Sequence, residues 1–219
     1  MTLHMFVHSV NVALIASILG QWLKFSEKDI RILTISGLLH DIGKIMIPNE
    51  ILTKPGKLTV AEYNIMKQHV NFGYEKVKNQ NIDIRIKEAC LLHHEKCDGT
   101  GYPFGLKSDH IPAVAKIIAI ADVYDAMTSA RVYRGALCPF EVIDTMYKDA
   151  FTKFEPEYIL PFLKNVASSY INNDVRLSDG RIGKVVLINE NALSLPIVQC
   201  EDEFIDLSKT RGLTVSAIL

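Results

Sequence analysis

Histidine and aspartate residues between positions 8 and 122 are the part of the sequence best suited to chemistry, because each lies on or at the end of a predicted helix. Imidazole and carboxylate together favour iron, manganese or zinc, whereas oxygen ligands alone would favour magnesium or calcium. These residues exceed what one metal normally binds, so we expect at least two metals, about 3.5–4 Å apart. The candidate ligands are His8, His40, Asp41, His69, His93, His94 and Asp122.

Two pairs of neighbouring candidates suggest how two metals are shared. A carboxylate next to a histidine, as at Asp41, can bridge two metals while His40 binds one of them. Neighbouring helical residues differ in direction by about 100°, so His93 and His94 can both face a site only if it lies between them. Any one of these histidines alone would be read as an ordinary helical residue, and the prediction therefore depends on the whole set.

Three cationic residues could bind an anion near such metals. Lys44 follows His40 by four residues and Asp41 by three, which would place its ammonium beside the metals if the helix continues. A cation is stable there if a phosphate intervenes, so Lys44 is expected to hold a phosphoryl oxygen or to protonate the leaving group; the alternative is a solvated lysine at a helix end. Arg131 and Arg134 could grip phosphate or guanine edges, and without that context they would be surface arginines.

The elements that must position these residues are mostly helices. Apolar residues recur at helical spacing from residue 3, Ser26 resembles a helix cap, and Thr59 with Glu62 has the form of a capping box. After about Asn173 short β-branched runs replace the helical period, with a hairpin turn signal at 178–180. The sequence predicts a mainly α fold with a small β appendage, divided into segments 1–172 and 173–219. The predicted helices cover residues 3–24, 26–41, 59–79, 82–96 and 112–129, with two more starting near Pro139 and Pro156.

Composition excludes several classes of protein. The chain has 219 residues, 48% of them hydrophobic, and its 24 basic residues nearly balance its 25 acidic ones. This balance provides no global field that would attract a nucleic acid polymer or an anionic membrane. The four cysteines have no C-x-x-C spacing and no signal peptide is recognisable, which favours a cytoplasmic location. Polar residues interrupt the apolar stretches before the roughly 20 residues of a membrane span, so no membrane insertion is expected.

Several motifs, taken together and in order, resemble the HD-GYP family of bacterial phosphodiesterases over roughly residues 3–170. Segments 54–59 and 131–134 are also similar to that family. The motifs that carry the resemblance are His40-Asp41-Ile42-Gly43-Lys44, His93-His94-Glu95, Asp98-Gly99-Thr100-Gly101-Tyr102-Pro103 and Ala121-Asp122-Val123-Tyr124-Asp125-Ala126.

The resemblance implies an HD-type helical bundle that holds two or three divalent metals, iron or manganese, and hydrolyses cyclic di-GMP to linear pGpG or onward to GMP. A hydroxide that bridges two metals would be the nucleophile. Position by position, one metal would be held by His8, His40, Asp41 and Asp122, and Asp41 would bridge to a second held by His69, His93 and His94. Lys44 would be the catalytic cation, Tyr102, Arg131 and Arg134 would contact the ligand, and Gly101, Tyr102 and Pro103 would shape the loop.

Departures from the family pattern leave alternatives open. Family members with three metals have a glutamate four residues before the first histidine, where this chain has His4, which could replace that ligand or leave the third site empty. The substrate could be another cyclic dinucleotide, or the domain could bind cyclic di-GMP and signal without turnover. Relatives usually carry an N-terminal sensory domain, so we also expect a fragment, a homodimer or control by a separate regulatory protein.

Overall fold

The structure, a computed structural model, describes residues 3–129 and 137–219, with side chains from residue 5 onward. Helices occupy the chain up to residue 168 and five strands follow, which confirms the predicted mainly α fold with a C-terminal β appendage. The described helices are α1 (Leu3–Trp22), α2 (Glu27–Leu39), α3 (Asn49–Leu52), α4 (Val60–Lys67), α5 (His69–Val77), α6 (Ile84–Leu92), α7 (Ala113–Thr128), α8 (Pro139–Asp149) and α9 (Pro156–Ser168).

Local sequence signals explain where several helices begin. The Ser26 side chain accepts a hydrogen bond from the backbone of Asp29 at the start of α2. Thr59 and Glu62 form both hydrogen bonds of a capping box at the start of α4. Proline occupies the first turn of α8 and of α9, where its missing amide hydrogen is not needed. These starts confirm the sequence prediction.

Three predicted helices are shorter or more divided than expected, and the one predicted for residues 82–96 spans only Ile84–Leu92. The helix predicted for residues 59–79 is two helices, α4 and α5, which meet at Gln68. The helix predicted to reach Asp41 ends at Leu39, and a 3₁₀ turn covers Ile42–Met46. The assumption that a continuous helix carries Lys44 is therefore wrong.

A very close contact between the 3₁₀ turn and α5 explains a glycine. A Cβ atom on Gly43 would lie 1.9 Å from the carbonyl oxygen of His69 and 2.4 Å from the amide nitrogen of Gly73. Only a residue without a side chain fits between these backbones. The contact holds the chain after α2 against the first turn of α5, and so brings two candidate site segments together.

Helix α7 lies at the centre of the bundle. Its residues Ile117, Ile118, Ile120 and Ala121 are fully buried, which is typical of a helix covered by neighbours on most of its circumference. It contacts α1, α2, α6, α8 and α9. A polar residue on α7, such as Asp122, therefore lies in the interior of the molecule.

The five strands form one antiparallel sheet in the order β4-β3-β2-β1-β5. Its buried side chains, among them Val175, Val185 and Val198, belong to the same hydrophobic cluster as Phe140 of α8 and Phe162 of α9. The proposed division into segments 1–172 and 173–219 stays a prediction. The strands are β1 (Asp174–Leu177), β2 (Ile182–Leu187), β3 (Ile197–Cys200), β4 (Glu203–Asp206) and β5 (Val215–Ile218).

The first helix corrects one expectation about hydropathy. Met5–Trp22 is 18 residues long, has a mean hydropathy of 1.4, and is long and apolar enough to cross a membrane by length and composition. The expectation that polar residues interrupt every such stretch does not hold for α1, because His8 and Asn11 lower the hydropathy too little. The helix packs against α2 and α7 and buries Val12, Ala16 and Leu19, while Leu14 and Ile18 on its other side are exposed.

The glycine contact leads to a test of stability. We expect Gly43→Ala to lower the free energy of unfolding by about 1–3 kcal/mol, because its methyl group must displace backbone, and to lower the melting temperature by about 2–4 °C per kcal/mol. The matched control is Gly73→Ala, whose new Cβ would meet its nearest neighbour at an ordinary 3.4 Å. Thermal unfolding of both variants checks this, and equal melting temperatures would contradict the steric argument.

Candidate metal centre

The carboxylate of Asp41 lies at the centre of the histidine cluster. Its Oδ2 atom lies 3.6 Å from Nε2 of His8 and 3.3 Å from Nε2 of His40. Its Oδ1 atom lies 3.3 Å from Nε2 of His69 and 3.8 Å from Nε2 of His93. The two oxygens of one carboxylate thus face two different sets of imidazoles, as a bridging ligand must.

The cluster divides into two groups that could each hold a metal ion. One group is His8, His40 and Asp41, and the other is Asp41, His69, His93 and His94; in each, one ligand atom per residue lies within 4.8 Å of the others. Asp122 adjoins the first group, with Oδ1 3.1 Å from Nε2 of His8. The structure brings all seven candidate ligands together.

Backbone carbonyls fix the orientation of three imidazoles. The Nδ1 atoms of His40, His69 and His93 lie 2.7, 2.8 and 2.9 Å from the carbonyl oxygens of Gly37, Met66 and Ala89. A carbonyl only accepts, so each Nδ1 carries the hydrogen and each Nε2 presents a lone pair toward Asp41. This tautomer is the one that binds a metal through Nε2.

The polar atoms at the centre fit a divalent cation. Oδ1 of Asp41 and Nε2 of His40 are buried and have no hydrogen-bond partner among the described residues. The Nε2 atoms of His69 and His93 face each other at 3.4 Å. Buried acceptors without a donor are costly, and a cation among them would satisfy all four atoms. The donor set therefore fits the metals that the sequence predicts.

The fourth imidazole, His8, is held by a carboxylate that the sequence analysis assigned no role. Its Nδ1 donates to Oδ2 of Asp125 at 2.6 Å, and Asp125 also accepts from Asn11 and Ser129. Burial alone would lower the pKa of His8, but hydrogen bonds to Asp122 and Asp125 outweigh burial and raise the pKa to about 9, so a metal that binds Nε2 would release a proton from His8. The signal available in the sequence was the spacing of Asp125, three residues after Asp122 on one helix.

Charges around Asp41 keep it ionised. Burial favours the neutral acid, but the Lys44 ammonium holds the pKa of the carboxyl well below its usual range. Although α2 has ended, Nζ of Lys44 lies 2.5 Å from Oδ2 of Asp41. Burial lowers the pKa of His93 far below its usual value and that of His94 to about 3, so both stay neutral as metal ligands require.

His93 and His94 lie just after the end of α6 rather than within a helix. Their ring centroids are 4.2 Å apart, and while Nε2 of His93 faces Asp41, Nδ1 of His94 lies 3.9 Å from Oδ2 of Asp122. The two neighbours therefore approach different carboxylates. They face a site that lies between them, as the sequence analysis required, but from a helix end.

The loop of Gly101, Tyr102 and Pro103 covers His94. The Tyr102 ring stacks on the imidazole with centroids 4.7 Å apart and planes at 27°, and its amide donates to the His94 carbonyl. A Cβ atom on Gly101 would lie 2.5 Å from the Cα atom of Glu95, so this approach requires glycine. Tyr102 thus lies next to a candidate metal ligand.

Glu95 is a second residue whose role the sequence analysis missed. Its side chain is buried, and its two oxygens accept hydrogen bonds from the backbone amides of Phe104 and Leu106 at 2.7 and 2.9 Å. A carboxylate directly after two histidines suggests a further metal ligand, but Glu95 instead fixes the loop that contains Tyr102.

A cavity of about 730 Å³ opens beside the cluster, within the range of small-molecule sites. Its lining includes His8, Asp41, Lys44, His69, His94 and Asp122 from the cluster, together with Ile51, Leu52, Lys54, Leu58, Tyr63, Met66, Lys96 and Tyr102. The polar centre is therefore accessible to a ligand.

Three predicted site residues lie outside what the structure describes. Arg131 and Arg134 fall in segment 130–136, and His4 precedes the first described side chain. Their assignments stay predictions.

The chain is similar to known proteins. The HD domain family matches residues 3–158. A cyclic di-GMP phosphodiesterase of Pseudomonas aeruginosa is 36% identical over 195 residues, covering 89% of this chain and 47% of that protein. A cyclic di-GMP phosphodiesterase response regulator of Xanthomonas campestris is 41% identical over 155 residues, covering 70% and 41%. A 3′3′-cGAMP-specific phosphodiesterase of Vibrio cholerae is 36% identical over 155 residues, covering 69% and 30%. The chain spans less than half the length of these relatives.

Solved structures share the fold. An HDGYP protein from Bdellovibrio bacteriovorus superposes with a TM-score of 0.60 at 23% identity, covering 72% of this chain and 50% of that one. The HD domain of a phosphodiesterase from L. monocytogenes, in complex with cyclic di-AMP, superposes with a TM-score of 0.56 at 18% identity, covering 75% and 89%. At these identities the likeness concerns the fold, and it confirms the HD-type helical bundle.

The central position of Asp41 predicts the variant that loses most metal. We expect Asp41→Asn to reduce bound metal from two or more equivalents to less than one, because both groups of imidazoles lose their shared charge. The matched control is Asp109→Asn, which alters an exposed carboxylate beside His110. Elemental analysis after anaerobic reconstitution measures this, and full metal content in Asp41→Asn would refute the bridging role.

The contact between His8 and Asp125 predicts that Asp125 affects metal affinity without binding metal itself. We expect Asp125→Asn to weaken metal affinity about 10- to 100-fold, because a neutral amide holds the hydrogen on Nδ1 of His8 less firmly than the carboxylate does. Competition with a chelator of known affinity measures the change, and circular dichroism verifies the fold. Unchanged affinity would mean that Asp125 only supports packing.

Proposed function

The chain belongs to the HD-domain family, and from that membership we propose that it is a metal-dependent phosphodiesterase that hydrolyses cyclic di-GMP to linear pGpG, GMP or both. One observation carries the proposal: Lys44 donates a hydrogen bond to Asp41, whose two carboxylate oxygens face different imidazoles, and both residues line a ligand-sized cavity. A phosphodiester that enters the cavity would meet a cation, buried imidazoles and carboxylates at the same place.

We assign the metal ligands as the sequence analysis did. His8, His40, Asp41 and Asp122 would hold one divalent metal, and Asp41, His69, His93 and His94 a second, with iron or manganese favoured by the mixture of nitrogen and oxygen donors. When bound, such metals supply positive charge for phosphate oxygens and lower the pKa of water from about 15.7 toward about 7. The Nδ1 hydrogen bonds of the imidazoles keep their Nε2 atoms directed at the centre throughout.

Lys44 would act on the phosphoryl group. Its ammonium is partly exposed to the cavity and already donates to Asp41, so it can turn toward a phosphate oxygen or the leaving ribose oxygen without leaving the site. Tyr102, held by the Gly101 and Pro103 loop, borders the same space, and we propose that Arg131 and Arg134 grip the ligand from segment 130–136. These residues bind and orient the phosphodiester.

The substrate class rests on relatives. Those 36–41% identical include cyclic di-GMP phosphodiesterases and 3′3′-cGAMP-specific enzymes, so 3′3′-cGAMP is the second candidate. We place the reaction in the bacterial cytoplasm, in keeping with four free cysteines. Control by a homodimer partner or a separate regulatory protein is also proposed.

The decisive experiment is an anaerobic product assay. Protein reconstituted with Fe²⁺ or Mn²⁺ is incubated with cyclic di-GMP, 3′3′-cGAMP or an equimolar mixture, and the products are separated by chromatography. Faster loss of cyclic di-GMP from the mixture supports the proposal. Exclusive loss of 3′3′-cGAMP would reassign the substrate, and tight binding of cyclic di-GMP without any product would establish a signalling module instead.

Lys44 separates catalysis from metal binding. We expect Lys44→Ala to lower kcat about 10²-fold or more, since it removes a group that acts on the phosphoryl centre, and to leave metal content unchanged. Lys96→Ala is the matched control, because it removes another cation from the cavity lining without touching Asp41. Steady-state kinetics with metal counted in each variant tests this; equal kcat values for the two variants would contradict a specific role.

A further inference from the structure

Part of the cavity wall carries no chemistry for phosphate. Helices α3 and α4 and the segment between them supply Leu52, Leu58, Tyr63 and Met66 to the lining. None of these side chains is charged, and Tyr63, on α4, is 48% exposed. An exposed aromatic ring in a cavity wall is available to a flat ligand.

Two charged residues near this wall, Lys54 and Glu62, neutralise each other. Nζ of Lys54 lies 2.8 and 2.7 Å from the two carboxylate oxygens of Glu62. Glu62 also accepts hydrogen bonds from the amide and hydroxyl of Thr59, and these contacts hold the pKa of Glu62 at about 2. Lys54 is therefore held by the start of α4, and the side chains of Leu52, Leu58, Tyr63 and Met66 present an apolar, aromatic surface.

A series of ring contacts connects the wall to the metal centre. Tyr102 lies against the imidazoles of His94 and His69, at centroid distances of 4.7 and 6.4 Å. On its other side Tyr102 meets Tyr63 edge to face, at 6.4 Å and 81°. Nζ of Lys67 lies 5.3 Å from the Tyr63 ring and 6.0 Å from the Tyr102 ring, where its attraction to both faces steadies them.

These positions match the layout of a nucleotide. In a nucleotide a ribose separates the phosphate from the base. A phosphate beside His69 and His94 therefore places the base a ribose's width away from them, and the rings of Tyr102 and Tyr63 lie in that direction. Bases stack on aromatic side chains, and each has a neutral π-face. The apolar, aromatic side chains of this wall suit a base better than a second phosphate.

We propose that Tyr63, paired with Tyr102, forms a nucleobase-binding subsite beside the metal centre. The proposal rests on the proposed function in taking the phosphate of the substrate to lie against the histidine cluster. We take the ring of Tyr63, which meets the Tyr102 ring edge to face, to be the part that binds the base. It is a specificity residue and takes no part in bond cleavage.

The test compares a nucleotide with its sugar phosphate. Affinities of the metal-loaded protein for GMP and for ribose 5-phosphate are measured by isothermal titration calorimetry. We expect the wild-type protein to prefer GMP, Tyr63→Leu to weaken GMP binding about 5- to 100-fold with ribose 5-phosphate affinity unchanged, and Tyr63→Phe to behave as wild type. The matched control is Tyr147→Leu, which alters a tyrosine 40% exposed outside the cavity lining.

A fluorescent base gives an independent readout. The 5′-monophosphate of 2-aminopurine riboside should be quenched on binding to the wild-type protein and less quenched when bound to Tyr63→Leu, since stacking on the ring is lost. Equal weakening of GMP and ribose 5-phosphate by Tyr63→Leu, or no change in either, would overturn the subsite. Hydrolysis of cyclic di-GMP by the wild-type protein is measured separately. If the wild-type protein hydrolyses it but Tyr63→Leu still prefers GMP as the wild type does, the subsite alone is refuted. If Tyr63→Leu loses affinity for GMP but not for ribose 5-phosphate, and the wild-type protein hydrolyses nothing, the catalytic proposal alone is refuted.

Discussion

A carboxylate buried among imidazoles is the constraint on which the rest of this structure depends. Burying the charge of Asp41 is costly unless partners surround it, and the fold supplies them from several elements. The 3₁₀ turn after α2 brings Lys44 back onto the carboxylate, and backbone carbonyls of α2, α4 and α6 fix three imidazoles around it. His40, His69 and His93 each lie at the end of a helix and turn inward there.

Much of this arrangement could be predicted from the sequence because it depends on residue type and local spacing. Caps at Ser26 and Thr59 define helix starts, and the ligand set follows from imidazole and carboxylate chemistry. The break between α4 and α5 was not predictable, because Gln68 keeps helical backbone angles and the apolar period continues across it. Nor does spacing distinguish a carboxylate that binds metal from one, like Asp125, that orients a histidine; only the contact shows the difference.

The three consecutive residues after α6 show how closely metal site and loop are joined. His93 faces Asp41, and His94 faces Asp122 while the Tyr102 ring stacks on its imidazole. Glu95 accepts hydrogen bonds from the backbone of the loop. Their alternation in direction follows from the end of the helix. A shift in this short segment would move a candidate metal ligand and the cavity wall together. Glu95, which accepts hydrogen bonds from the loop backbone, couples the two.

The candidate ligands come from five separate segments of the chain, from His8 in α1 to Asp122 in α7. During synthesis, a nascent chain that has left the ribosome only as far as α6 already exposes most of the imidazoles but lacks the last carboxylate and the central helix that packs α1 against α6. Contacts so distant in sequence form late in folding. Only the group that Asp122 adjoins depends on a residue of α7, so it is completed last, whereas Asp41, His69, His93 and His94 have all been made before α7 emerges.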